Sequence, residues 1–195
     1  MWHLRFGSEP LEDNRLAAAA ADGNEEALAT LVERYRRYIY TIAYKIALDP
    51  DNALDITQNV FVRLVEKIAT FNGHGPFRAW LGTMTSREAL SYLRRPSRRE
   101  TATEPEILTS LADERADGQT RDPREALDVA HRRRVVEATM ACLPPQQRAI
   151  FALRFREDMG PKEIAERLSI PAQQVRSQLH RAIARIRDAI AEKRV

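Results

Sequence analysis

From Gly160 the chain reads GPKEIAERLSIPAQQVRSQLHRAIARIRDAI, and the three residues in its middle, Ser169, Ile170 and Pro171, constrain the fold most. Pro161 suits the first turn of a helix on which Ile164, Ala165 and Leu168 face one way. A longer helix follows Pro171, with Val175, Leu179, Ala182, Ile183 and Ile186 on one face. Two amphipathic helices joined by so short a turn must pack across each other, which is helix-turn-helix grammar. Gln173, Gln174, Ser177, Arg181 and Arg185 lie on the opposite face of the second helix, with Arg176 and His180 at its flanks. Glutamine, serine and arginine hydrogen-bond to base edges and phosphates in a major groove, so this helix is expected to read duplex DNA.

The preceding chain is punctuated by the same helix signals. Residues 11 to 22 have high helix propensity and end at Gly23, and Asn24 caps a second helix on which Leu28, Leu31, Val32, Tyr35, Ile39, Ile42, Ala43 and Ile46 keep the 3.6 period. Asp49 and Pro50 stop it and start a third, to about Ala69. There Leu54, Ile56, Val60, Phe61, Leu64, Val65 and Ile68 form a broad apolar face, while Asp51, Asp55, Gln58, Asn59 and Glu66 occupy the other side. That polar side reads either as solvated or as a docking surface for a basic partner.

Gly75 and Pro76 open a fourth helix, which Pro96 ends. In FNGHGPFRAWLGTMTSREALSYLRRPSRR, residues 71 to 99, Phe77, Trp80, Leu81, Met84 and Tyr92 offer apolar or stacking surface. Arg78, Arg87, Arg94, Arg95, Arg98 and Arg99 offer charge, and arginine, which suits both phosphates and base faces, is the only basic residue used. Two readings stand for Trp80: a core residue beside Phe77, Leu81 and Leu90, or a platform for an unstacked base.

Charge divides the chain. Residues 1 to 99 carry 14 basic and 12 acidic side chains, residues 100 to 131 carry 3 and 9, and residues 132 to 195 carry 14 and 7. Basic ends favour polyanions, whereas the acidic middle would be repelled by DNA. Residues 100 to 122 lose the helical period and read as a linker; Asp122, Pro123 and Glu125 then start a helix reaching Leu143, and Pro144 and Pro145 start the next. The expected fold is all-α. It has two small helical domains, 24–99 and 123–195, joined by the acidic linker 100–122 and preceded by an extension with a first helix, 1–23.

Several function classes are disfavoured. The single cysteine, Cys142, forms neither a disulfide framework nor a thiolate zinc site and is expected to be a small buried apolar residue. The N-terminus has no charged region followed by an apolar run, and no stretch approaches the roughly 18 apolar residues of a membrane span, so a cytoplasmic protein without membrane insertion is expected. His3, His74, His131 and His180 show no ligand spacing, and neither a phosphate-binding glycine loop nor a nucleophile motif is present. No catalytic residue, metal or cofactor is expected; His74 reads as a solvated loop residue that could contact DNA.

With both halves in view, the chain resembles a bacterial RNA polymerase sigma factor of the small, extracytoplasmic-function type. DNALDITQNVFVRL with FNGHGPFRAWLGTMTSREALSYLRR is similar to region 2, and LPPQQRAIFALRF with KEIAERLSIPAQQVRSQLHRAIARIR is similar to region 4. The resemblance implies a promoter-specificity subunit for a stress or envelope-response regulon, whose partners are core RNA polymerase, through its β′ clamp and β flap, promoter DNA and an anti-sigma factor. Asp51, Asp55, Gln58 and Asn59 would dock on the clamp. Phe77, Arg78, Trp80, Arg87, Tyr92, Arg94, Arg95 and Arg98 would bind and open the −10 element. Gln173, Gln174, Arg176, Ser177, His180, Arg181 and Arg185 would read the −35 element. The chain departs from the family pattern at Leu54 and Asn59, where an acid is common, at Arg87 and Ser91, where asparagine and aspartate are usual, and at Gln178, which replaces an arginine. Phosphorylation of Thr57 would restore about −1.5 to −2 charges to that helix, although the helical wheel turns Thr57 toward the apolar face. The alternative is a helix-turn-helix regulator that has kept the fold without engaging polymerase.

Overall fold

The computed structural model describes residues 10–95 and 134–192; the linker expected at 100–122, the helix start at Asp122 and Arg98 lie outside the described residues. Helix α1, Pro10–Ala21, ends before Gly23, whose φ of +91° favours glycine. Asn24 caps α2, Glu25–Ala47, by accepting from the Ala27 N–H at 2.9 Å. Asp49 accepts from the Asn52 N–H at 2.7 Å and so starts α3, Pro50–Lys67, with the proline in its first turn. A 3-10 turn, Ile68–Thr70, and a glycine-bearing loop lead to α4, Phe77–Leu93. Downstream come α5, with helical residues 134–141, α6 (Pro145–Arg156), α7 (Pro161–Leu168) and α8 (Ala172–Glu192). No strand occurs among the described residues.

The helices α1 to α4 close around Leu31, Ile39, Ile42, Ile46, Ile56, Leu64, Phe77 and Leu81, all essentially without solvent exposure. Burying each such side chain stabilises the fold by about 1.5–3 kcal/mol. The downstream core gathers Ile150, Leu153, Met159, Ile164, Val175 and Leu179. Four expectations are corrected. Leu54, Val65 and Ile183 stand exposed at 51%, 58% and 45%, because the buried arcs of α3 and α8 are narrower than the apolar faces drawn from sequence. Cys142 is exposed, since it follows the last turn of α5 rather than entering a core.

The two units meet where α6 packs on α2 and α4. Arg148, buried on α6, donates through Nε to the Ile46 carbonyl at 2.9 Å and through Nη1 to the Leu143 carbonyl at 2.6 Å. The Ile46 carbonyl belongs to the last turn of α2, where no intrahelical donor is left for it, so the guanidinium from the other unit completes that helix end. Burial draws the Arg148 pKa down to about 10. Alongside, Gly82 of α4 lets Tyr38 approach: a Cβ there would lie 2.5 Å from Tyr38 Oη and 3.4 Å from Glu157 Cγ.

An interior glycine replaced by alanine ordinarily gains up to about 1 kcal/mol of helix stability. Here Gly82→Ala is expected to lose about 1–3 kcal/mol through overpacking, and to lose less when made in a Tyr38→Phe background, where the clashing oxygen is absent. Urea unfolding of the single and double variants reads both.

Candidate nucleic-acid interface

The turn between α7 and α8 is short because Ser169 ends α7 in the left-handed region, at φ 55°, with its N–H returned to the helix carbonyls. Ile164 and Ala165 of α7 and Val175 and Leu179 of α8 are buried together, so the two helices are held by their apolar faces. That packing turns Gln173, Arg176, His180, Arg181 and Arg185 outward, while Gln174 and Ser177 are half-buried beside them. Arg176 donates to Gln173 Oε1 at 3.1 Å through Nη2, and Arg181 donates through Nε to the Ser177 carbonyl at 3.3 Å, so both guanidinium groups are oriented along the outer face of the helix. Gln178 is different. Buried at 7% exposure, it donates to Gln146 Oε1 on α6 at 3.2 Å, and its departure from the family arginine therefore falls in the core of the unit rather than on the reading face.

The −10 candidates separate into surface and core. Phe77 is fully buried, edge-on to Tyr35 and Phe71, and Tyr92 is 3% exposed with its hydroxyl donating to Asp55 Oδ2. Neither is placed to stack on a base, which corrects the sequence expectation for both: each is held by the α2–α3 side of α4. Trp80 remains half-buried, with its ring centroid 5.6 Å from those of Phe71 and Phe77. Arg94 and Arg95 are exposed at the end of α4. His74 sits in the exposed loop.

Arg78 and Arg87 face the downstream unit. Arg87 donates through Nε to the Arg167 carbonyl at the end of α7, and Arg78 Nε lies 3.3 Å from Glu157 Oε2. Glu157 is nearly devoid of solvent, and burial raises its pKa against the opposing pull of Arg78, the Tyr38 hydrogen bond and Arg156. Burial also raises Tyr38 well above the ordinary tyrosine range, reinforced by Glu157. The cluster of Tyr38, Arg78, Arg156 and Glu157 thus forms a dry polar joint between α2, α4 and α6.

On α3, Asp51 and Gln58 are exposed and Asp55 and Asn59 half-buried. Sequence reasoning missed the apolar component of this face: Leu54, Val62 and Val65, at i, i+8 and i+11, are exposed at 51%, 60% and 58% and flank Gln58. The signal was available, because a helical wheel centred on Ile56, Val60 and Leu64 sets Val62 on the opposite side of the helix. Thr57 is a correction. Only 6% exposed, it donates its hydroxyl to the Ala53 carbonyl at 2.7 Å and offers no access to a kinase in this fold. Among the described residues no group of three or more His, Cys, Asp or Glu is placed to hold a metal, and no helix is long and apolar enough to cross a membrane.

The family description Sigma-70 region 2 matches residues 31–99, and Sigma-70, region 4 matches residues 133–186, together more than half of the chain. The chain is 26% identical over 184 residues to the ECF RNA polymerase sigma factor SigE of Mycolicibacterium smegmatis, covering 93% of this chain and 69% of that protein. It is also 26% identical over 188 residues to the ECF RNA polymerase sigma-E factor of Escherichia coli, covering 95% of this chain and 96% of that one. Among solved structures, the sigma factor RpoE of Bartonella quintana, in complex with the anti-sigma factor NepR, shares the fold. Its TM-score is 0.58 at 19% identity, over 87% of this chain and 97% of that one.

The raised pKa of Glu157 has a defined sign. Its protonated form is favoured by folding, so its contribution to stability is full below the ordinary glutamate range, near 4.5, and is lost as pH rises through the higher folded value. The stability difference between wild type and Glu157→Gln is expected to shift against wild type as pH rises from about 4 to 7, read by urea unfolding at a series of pH values.

Proposed function

This chain belongs to the sigma-70 family, in its extracytoplasmic-function group, and we propose how its described residues divide the work of a promoter-specificity subunit of bacterial RNA polymerase. The observation that carries the reading is the outward face of α8, where Gln173, Arg176, His180, Arg181 and Arg185 stand exposed behind a three-residue turn. That helix reads the −35 element in the major groove, with Gln174 and Ser177 at its edge. Region 2 engages the −10 element through the loop before α4 and through Arg78, Trp80, Arg87, Arg94 and Arg95, with Arg98 beyond the described residues. The polymerase supplies the chemistry, and this subunit acts without catalysis of its own, in the cytoplasm, at promoters of a stress or envelope-response regulon.

The α3 face docks on the polymerase clamp through Asp51, Asp55, Gln58 and Asn59 together with the exposed Leu54, Val62 and Val65. Exposed aliphatic side chains gathered around a polar centre are what a protein partner buries. Leu54 therefore reads as part of the docking surface, which weighs against the alternative of a regulator that no longer engages polymerase. The region 4 unit contacts the β flap, and an anti-sigma factor of the class that holds the Bartonella relative is the expected inhibitor.

The compact arrangement is the unbound one in this reading. A compact chain of this length has a radius of gyration of about 16 Å. Twenty-five or so base pairs separating −35 from −10 span roughly 85 Å of duplex. The α6 joint therefore opens on promoter engagement, releasing Arg78 from Glu157 and Arg87 from the Arg167 carbonyl.

Core polymerase reconstituted with this chain is expected to initiate specifically at a set of genomic promoters, mapped by transcript starts; no specific initiation anywhere would overturn the assignment. In that system Val62→Glu is expected to reduce core binding at least tenfold in a pull-down titration while leaving the fold intact, because an exposed valine is replaced on the docking face. Arg181→Ala is expected to weaken duplex −35 binding by about 1–3 kcal/mol in an anisotropy titration of the holoenzyme.

A further inference from the structure

Helix α4 begins in an unusual way. Its N-cap is Pro76, which has no side chain able to accept from the first turn, and no local side chain caps the helix. The missing partner comes from 63 residues upstream. Asn14 on α1 accepts from the Phe77 N–H through Oδ1 at 2.8 Å and donates through Nδ2 to the Gly75 carbonyl at 3.0 Å. One amide thus holds both peptide groups that flank Pro76.

At its start the loop so held is anchored by Phe71, which packs on Phe77 and Trp80; beyond the bonds to Asn14, the hydrogen bonds of its remaining residues are internal. Gly73 and Gly75 adopt φ of +72° and +109°, and the turn is closed by the Gly75 N–H donating to the Gly73 carbonyl at 2.9 Å and the His74 N–H to Asn72 Oδ1 at 3.1 Å. These bonds shape the loop internally without fixing it to the helix bundle. Asn14 itself is well anchored: its neighbour Asp13, 3% exposed, accepts from Arg34 Nη1 and from Tyr35 Oη, each at 2.6 Å, and Ala17 on the next turn is fully buried.

We infer that Asn14 is a positioning residue for single-strand capture, fixing the direction in which loop 71–76 enters α4 and so how residues 72–76 are held beside the exposed side of Trp80. The inference rests on the −10 reading above. It assigns to the first helix, which lies upstream of the region 2 match at 31–99, a part in promoter opening. The loop cannot hold itself in this way, because proline occupies the position from which a side chain would cap α4.

The test uses holoenzyme on a promoter carrying 2-aminopurine in the −10 element, whose fluorescence rises when the base unstacks, alongside a titration of closed-complex affinity at low temperature. Wild type must open the promoter; if it does not, the −10 reading fails and not the role of Asn14. Given wild-type opening, Asn14→Ala is expected to slow opening on the order of tenfold, from two lost hydrogen bonds, with closed-complex affinity changed less than about twofold. Asn14→Asp keeps the acceptor for the Phe77 N–H but sets a carboxylate oxygen against the Gly75 carbonyl, so it too is expected to open more slowly than wild type, with closed-complex affinity again changed less than about twofold. Unchanged opening in Asn14→Ala overturns the inference. So does an equal loss of closed-complex affinity and opening in both variants, which is the mark of a general folding defect.

Discussion

The way the two units of this protein sit together depends on how Arg148 is buried. A guanidinium taken from water must find acceptors, and Arg148 finds them in the Ile46 carbonyl at the end of α2 and the Leu143 carbonyl before α6. It thereby satisfies a helix end in the upstream unit with a donor from the downstream one. With α6 fixed against α2, Gly82 and Tyr38 close the gap, Glu157 is enclosed beside Arg78, and α7 arrives with the Arg167 carbonyl of its last turn against Arg87. The downstream unit thus rests on Arg78 and Arg87 of α4, while Gln173, Arg176, His180, Arg181 and Arg185 on the outer face of α8 stay exposed.

Such a joint is specific without being strong. Burying Glu157 costs desolvation that Arg78, the Tyr38 hydrogen bond and Arg156 repay only in part, which is why burial raises the carboxylate pKa despite the neighbouring cations. A purely apolar interface of the same size would be harder to open. A joint built from charged groups that are well served by water or by DNA phosphates loses much of its advantage once those alternatives are offered, which is what the proposed opening of the α6 joint requires.

Most of the fold was legible in the sequence because helix boundaries here are set locally. Asn24, Asp49, Pro50, Pro161 and Gly23 act through neighbours within a few residues, and each does in the structure what its chemistry implies. The outer face of α8 was legible for the same reason, since one helix and one short turn decide it. What the sequence did not disclose is tertiary. Phe77 and Tyr92 are aromatic residues on a basic helix, and only the packing of α2 and α3 against α4 determines that they point inward. The bonds from Asn14 to Gly75 and Phe77, and from Arg87 to Arg167, join residues 61 to 80 positions apart that no periodicity connects. The apolar stripe on α3 was visible in the wheel but hidden by drawing the buried face too wide.

The burial of Phe77 and Tyr92 also sharpens the energetics of promoter opening. Separating about ten base pairs costs roughly 14 kcal/mol of stacking, at about 1.4 kcal/mol per step, and each base stacked on an aromatic side chain returns about 1–3 kcal/mol. Of the three aromatic candidates on α4, Trp80 alone keeps an exposed side. On the proposed reading this chain therefore has surface to capture one or two bases and too little to melt a promoter by binding energy of its own. In the proposed reading its contribution is where opening starts: a single platform beside a loop whose entry into α4 is fixed by one amide, next to arginines that are released when the α6 joint opens. In the same reading the remaining work of strand separation falls to the polymerase, which makes the proposed docking face of α3 as necessary to opening as the loop itself.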